Sequence, residues 1–247
     1  MRLNEQIWIV ASGDSGFGLS HPADCTVYLI DGGTESALID TGSGLDIEII
    51  EKNIEKTGHN LKDIKKIFLT HGHGDHAGGA WKLSQDCGAR IFALEETASY
   101  VSQGDKNALS INAAIAAGIY EENFPFHACQ VTPLRDGQII QVGELEIEAI
   151  RSEGHCIGHS CYLTAIPKKT VLFSGDSVYY GGKISLQAIW DCNLGAYVKT
   201  CLRLAKIRPE VFLPAHGGIA MGRGYLHIDK AAETIKTLGI PKNTIGE

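Results

Sequence analysis

Residues Thr70–Gly79 read T-H-G-H-G-D-H-A-G-G, which gathers His71, His73, Asp75 and His76 within six positions. Imidazole and carboxylate are the donors that zinc and related divalent ions accept. A solvated loop has no need of this pattern, and the cluster is internal to the chain, so it is no tag. The run before it, Ile67-Phe68-Leu69, is apolar and strand-like, of the kind buried in a central sheet. His71 and His73 alternate by two, so an extended segment points both to one side. Asp75 and His76 then require a turn, which Gly72 and Gly74 are expected to permit. A ligand cluster leaving a buried strand through such a turn is where an α/β protein places its chemistry.

Three later turns each follow a strand-like run and each end on a further metal donor. Ile147 to Ile150 leads to Glu153-Gly154-His155. Val171-Leu172-Phe173 leads to Ser174-Gly175-Asp176, and Val211-Phe212-Leu213 leads to Pro214-Ala215-His216-Gly217. Upstream stands Leu38-Ile39-Asp40-Thr41-Gly42. The H-x-H-x-D-H cluster, with these turns in this order, resembles the metallo-β-lactamase superfamily over roughly residues 5–220.

That resemblance implies an α/β chain folded as a four-layer αβ/βα sandwich. It also implies a site for two divalent metal ions, zinc ahead of iron or manganese. His71, His73 and His155 would hold the first ion, Asp75, His76 and His216 the second, and Asp176 would bridge them. The implied chemistry is attack by a metal-bridging hydroxide on the carbonyl of a small ester, lactone or thioester, with Asp75 also orienting the nucleophile or taking its proton. Tyr179 stands three positions after Asp176, where the lactonase branch places a tyrosine that reaches the substrate carbonyl. Its neighbour Tyr180 is a geometric rival. His159 reads as a packing or supporting histidine, and Cys156 is the one cysteine set apart from the buried thiols, since it directly follows His155, where it would line the site rather than ligate metal.

Composition sets the wider limits. The chain has 247 residues, 44% of them apolar and 21% charged, enough for a sizeable core of an ordinary globular protein. A formal net charge of −7 without a basic cluster argues against a nucleic-acid partner and leaves a small-molecule substrate. No apolar run reaches the length of a membrane span, and Met1-Arg2-Leu3-Asn4-Glu5 is not the start of a signal peptide, so a cytoplasmic location is expected. The seven cysteines form no C-x-x-C pair and are expected as free, mostly buried thiols.

Short β-prone runs at 7–11, 25–30 and 37–39 lead into a helix marked by Ile47, Ile50 and Ile54, which stops at Thr57-Gly58. A short helix from Trp81 to Gly88 and a strand at 90–93 follow the ligand cluster. Strands return at 138–142, 145–150, 161–165 and 170–173, and helices are expected over 194–205 and 227–238. Residues 95–128 break this rhythm: they are alanine-rich, with helix formers from Asn107 to Ala117, and read as a helical insertion or lid within one domain spanning 1–247. The glycine-rich loop 12–18 lacks the Gly-Lys-Ser/Thr ending of a phosphate cradle and reads as a hairpin loop at the site mouth, with Phe17 as an apolar substrate contact.

Several other chemistries compete. A mononuclear-iron persulfide dioxygenase uses the same scaffold with fewer ligands, which the set Asp75, His76 and His216 opposes. Lactamases with a cysteine ligand place it where this chain has Asp176. Phosphodiester hydrolysis and a non-catalytic metal-binding module complete the alternatives.

Overall fold

Strand alternation explains the architecture. In β1 (Ile7–Ala11), Ile7 and Ile9 face one apolar core while Trp8 and Val10 face another, and all are buried. A strand apolar on both faces belongs to a covered sheet. The same split recurs in β10 (Lys169–Gly175), with Val171 and Phe173 on one side and Leu172 on the other. The computed structural model describes residues 1–167 and 169–244.

The first sheet takes its six strands in chain order: β1, β2 (Val27–Asp31), β3 (Ser36–Ile39), β4 (Ile64–Phe68), β5 (Arg90–Leu94) and β6 (Val131–Leu134). It is antiparallel as far as β3 and parallel from β3 to β6. The second sheet runs β11-β10-β9-β8-β7, with β7 (Ile139–Val142), β8 (Leu145–Arg151), β9 (Ser160–Ile166) and β11 (Val211–Pro214). Only β10 and β11 are parallel in it.

Phe68, Phe92, Tyr28, Tyr162, Phe173 and Leu213 meet in the core between the sheets. A second core lies under α1 (Ile47–Lys56), α3 (Ala80–Cys87), α4 (Glu95–Gln103) and α5 (Ile111–Ala116). A third lies under α6 (Leu194–Leu204) and α7 (Tyr225–Lys236). The order is therefore helices, sheet, sheet, helices. Tyr197 and Leu204 of α6 are fully buried and belong to this third core. No helix among the described residues is long and apolar enough to cross a membrane.

Strand direction then assembles the site. β3, β4, β8, β10 and β11 all end at one rim, and β9, antiparallel to β8 and β10, begins there. Asp40, His71, His155, Asp176 and His216 each lie within a few residues of one of those ends. The expected helix over Asn107–Ala117 is shorter, Ile111–Ala116, because Asp105 Oδ1 accepts the amides of Asn107 and Ala108 and holds that approach as a turn.

Candidate metal centre

His71 stands three residues past the end of β4, and His73, itself extended, precedes α2 (Gly74–Ala77), a single helical turn that carries Asp75 and His76. The glycines of this segment do not serve as the expected turn formers. Neither Gly72 nor Gly74 has a positive φ, so glycine is not needed to turn the chain. It is needed because the 95–128 segment lies against it. A Cβ on Gly72 would stand 2.2 Å from Leu109 Cδ2, and one on Gly74 2.7 Å from the Phe124 ring and 2.9 Å from that of Tyr120.

The donor atoms form two groups. In the first, His73 Nδ1 and His155 Nε2 are 3.0 Å apart, and the His71 ring centroid lies 4.5 and 5.0 Å from those of His73 and His155. His71 Nε2 is buried with no hydrogen-bond partner. In the second, His76 Nε2, Asp75 Oδ2 and His216 Nε2 are separated by 3.4, 3.3 and 3.3 Å. Asp176 touches both groups: Oδ2 is 3.5 Å from His155 Nε2, while Oδ1 is 3.5 Å from His76 Nε2 and 3.6 Å from His216 Nε2. With bonds of about 2.0–2.1 Å, tetrahedral donors around zinc lie about 3.3 Å apart. The separations and the unpartnered His71 nitrogen fit a metal in each group.

Neighbouring groups set the tautomers. His155 Nδ1 lies 3.1 Å from the Ser185 carbonyl, to which it donates, leaving Nε2 as the lone pair. His76 Nδ1 donates to Asp40 Oδ2 at 2.9 Å, and Asp40 also accepts the amide and hydroxyl of Thr70. Asp40 holds this geometry at φ 61°, a left-handed conformation uncommon outside glycine and the kind of strain found at functional sites. His216 Nδ1 is 2.7 Å from Ser15 Oγ, and the Gly217 amide donates to the Ser15 carbonyl. His159 Nε2 accepts the Asp176 amide at 3.0 Å, so its proton sits on Nδ1, facing Ser152 Oγ at 2.8 Å.

The two groups also differ in charge. Burial pushes His71 well below the usual histidine range, with neighbouring imidazoles adding to the effect. Burial and His155 bring His73 down to about 3. His155 is lowered by burial despite Asp176. His76 goes the other way: burial opposes its charge, but the carboxylates of Asp75, Asp176 and Asp40 carry it well above. His216 is raised against burial by Asp176 and Asp75. Asp176, although buried, is held down to about 2 by His216, His76 and His155.

Residues 22–216 match the family model of the metallo-beta-lactamase superfamily. The chain belongs to that superfamily. Among curated relatives, the lactamase-like protein nscB of Aspergillus fumigatus is 30% identical over 82% of this chain and 50% of its own length. An atrochrysone carboxyl ACP thioesterase of Emericella nidulans is 27% identical over 78% of this chain and 51% of its own. The chain thus spans about half the length of these relatives. A metallo-beta-lactamase from Cronobacter sakazakii superposes with a TM-score of 0.74 at 19% identity, covering 96% of each chain. A metallo-beta-lactamase family protein from Thermus thermophilus gives 0.73 at 21% identity, covering 96% of this chain and 81% of that one. These superpositions establish the fold, the four-layer αβ/βα sandwich of the superfamily.

All seven residues that the superfamily pattern suggested as ligands converge on the two donor groups. Tyr179 is 5% exposed with its ring centroid 6.3 Å from that of His216, whereas Tyr180 is 49% exposed and packs, tilted, against the His227 ring. Burial and the Asp176 charge raise the Tyr179 phenol well above its ordinary range, keeping it a neutral donor. Cys156 Sγ lies within 4.8 Å of donor atoms of His71 and His73 and is buried. All seven cysteines are free. Phe17 lies in the loop whose Ser15 meets His216, and its ring is partly exposed.

Sequence reading did not single out the supporting groups Ser15, Ser185 and Tyr120. A lone serine or tyrosine carries no pattern, and each reaches the site across more than twenty residues of chain. Asp40 had a motif to mark it but no visible role.

Proposed function

We propose that this chain is a binuclear metal-dependent hydrolase that opens the carbonyl–heteroatom bond of a small acyl substrate, with a thioester favoured. The observation that carries the reading is the pair of donor groups sharing Asp176, its two oxygens divided between them. Zinc suits the imidazole-rich donor set. Bound there, two divalent ions would supply an activated water at neutral pH and Lewis acidity toward a carbonyl oxygen. The chain's own groups supply the rest. His159 and the Tyr197 hydroxyl pin the backbone of Asp176 at its amide and its carbonyl, so the shared carboxylate is preset. Tyr179, a neutral phenol beside Asp176, can donate to an oxygen that gains charge as the carbonyl becomes tetrahedral. Asp75, ionised at neutral pH, can orient a water or accept its proton.

The thioester preference rests on the relatives named as ACP thioesterases. Tyr179 favours a lactone as the second reading. The complete second group, Asp75 with His76 and His216, weighs against a mononuclear-iron oxygenase. The discriminating experiment is a hydrolysis panel of acyl thioesters, esters, lactones, β-lactams and phosphodiesters, run on wild type and Asp75→Asn. Thioester turnover that falls in Asp75→Asn supports the reading. A phosphodiester preference, or persulfide-dependent oxygen uptake with one iron per chain, overturns it.

A further inference from the structure

Tyr120 belongs to the 95–128 segment, 45 residues from Asp75, yet it makes two hydrogen bonds to that one residue. The Asp75 amide donates to the phenolic oxygen at 3.1 Å, and the phenol donates to Asp75 Oδ1 at 2.8 Å. Asp75 sits in the first turn of α2, where amides lack partners within the helix. One hydroxyl therefore caps the helix and occupies one carboxylate oxygen. The other oxygen, Oδ2, is the one that faces His76 and His216.

Tyr120 is half-buried and packs against the core under the first sheet. Its ring stacks on Phe124 with centroids 4.3 Å apart and planes 18° apart. Phe124 is buried in the core under the first sheet, and its carbonyl accepts from Lys106 Nζ. Both rings rest where a side chain on Gly74 would stand. Core, stack, hydroxyl and carboxylate form one continuous support that ends at the second donor group.

We infer that Tyr120 is a positioning residue for the second metal: its hydroxyl fixes the rotamer of Asp75 so that Oδ2 completes the group with His76 and His216, making the helical insertion part of the metal site. This inference rests on the two-ion reading above. A carboxylate released from such a partner keeps its charge but loses its aim, and the entropy of the freed rotamer then opposes binding. No corresponding contact from the insertion reaches the side chains of His73 or His155 among the described hydrogen bonds, so the first group should not feel the change.

The experiment is zinc titration of the metal-free chain against a chromophoric chelator, for wild type, Tyr120→Phe and Phe124→Leu. Wild type should bind two equivalents. In Tyr120→Phe, which keeps the ring and its stack, the weaker equivalent should lose about tenfold to hundredfold in affinity while the tighter one is unchanged. Phe124→Leu keeps the hydroxyl but loosens the ring beneath it, and should weaken the same equivalent by less. Two equivalents with unchanged affinities in Tyr120→Phe overturn the inference alone. Equal weakening of both equivalents also overturns it, because that is what general loosening of the fold would do. A wild-type chain that binds one equivalent overturns the two-ion reading and this inference with it. Should Tyr120→Phe not fold, an unshifted second equivalent in Phe124→Leu is itself the refuting result.

Discussion

The two donor groups lie side by side, yet they are built on different principles. His71, His73 and His155 are imidazoles whose pKa values are all lowered, burial being the leading cause, with Ser185 aligning His155 through a neutral carbonyl. Asp75, His76 and His216 are held by charge and hydroxyl contacts: Asp40 on His76, Ser15 on His216 and Tyr120 on Asp75. The first group is kept neutral by its surroundings and is ready to bind. In the second, the carboxylates of Asp75 and Asp176 favour the protonated forms of His76 and His216, so protons compete with a metal there. A site can therefore be symmetrical in ligand count and unequal in how each half responds to solution conditions and mutation.

Stripping the chain with chelator should abolish hydrolysis, and zinc should restore it only as the second equivalent binds; full activity with the first equivalent alone would make the second group dispensable. Tyr179→Phe should lower kcat by about a hundredfold, the cost of one donor to a developing oxyanion, with both zinc equivalents retained. Tyr180→Phe, altered on the exposed neighbour, should leave turnover at the wild-type level, and an equal loss in both would remove the distinction drawn from burial.

Asp40→Asn should weaken the second equivalent by about tenfold to hundredfold and spare the first. Asparagine tolerates the left-handed backbone of position 40, so the fold should survive. Its amide can accept from Thr70, but then its NH2 faces the His76 Nδ1–H and the tautomer is lost. Comparable weakening of both ions would show that Asp40 supports the whole rim rather than one group.

Acidity should separate the halves as well. Because His76 and His216 have raised pKa values, protons compete with the second ion, and its affinity should fall about tenfold per pH unit for each proton displaced as pH drops from 7 to 6. The lowered values of His71, His73 and His155 mean that no proton has to leave for the first ion, whose affinity should stay flat over the same range. Zinc titrations at both pH values check this, and parallel curves would refute it.

The smallest effect concerns packing. Gly74→Ala drives a methyl into two stacked rings and should cost about 1–3 kcal/mol in denaturant unfolding. Gly72→Ala meets mainly the far end of Leu109, a flexible side chain, and should cost less. The reverse order would mean that the insertion is seated chiefly on the first group.

Much of the fold was legible because local pattern and tertiary outcome agree. The apolar runs of β1 and β10, the Ile47-Ile50-Ile54 stripe and the Gly88 stop each report a local preference that the core satisfies. The ligand set was legible for another reason. A divalent ion demands particular donor atoms, and four of them lie within six positions of the chain. The 95–128 segment resisted reading because its sequence specifies helix and little more.

By itself, then, the sequence determined that metal donors stand at the ends of buried strands, since donor chemistry and strand periodicity are local properties. Only the tertiary structure decided which oxygen of Asp176 faces which group, that Tyr179 turns inward while Tyr180 turns out, and that Gly72 and Gly74 are small to admit the insertion rather than to bend the chain. Those outcomes depend on distances between segments tens of residues apart, which no local spacing encodes. Tyr120 shows this most plainly: in the sequence it is an ordinary aromatic residue, and in the fold it holds a carboxylate of the candidate metal centre.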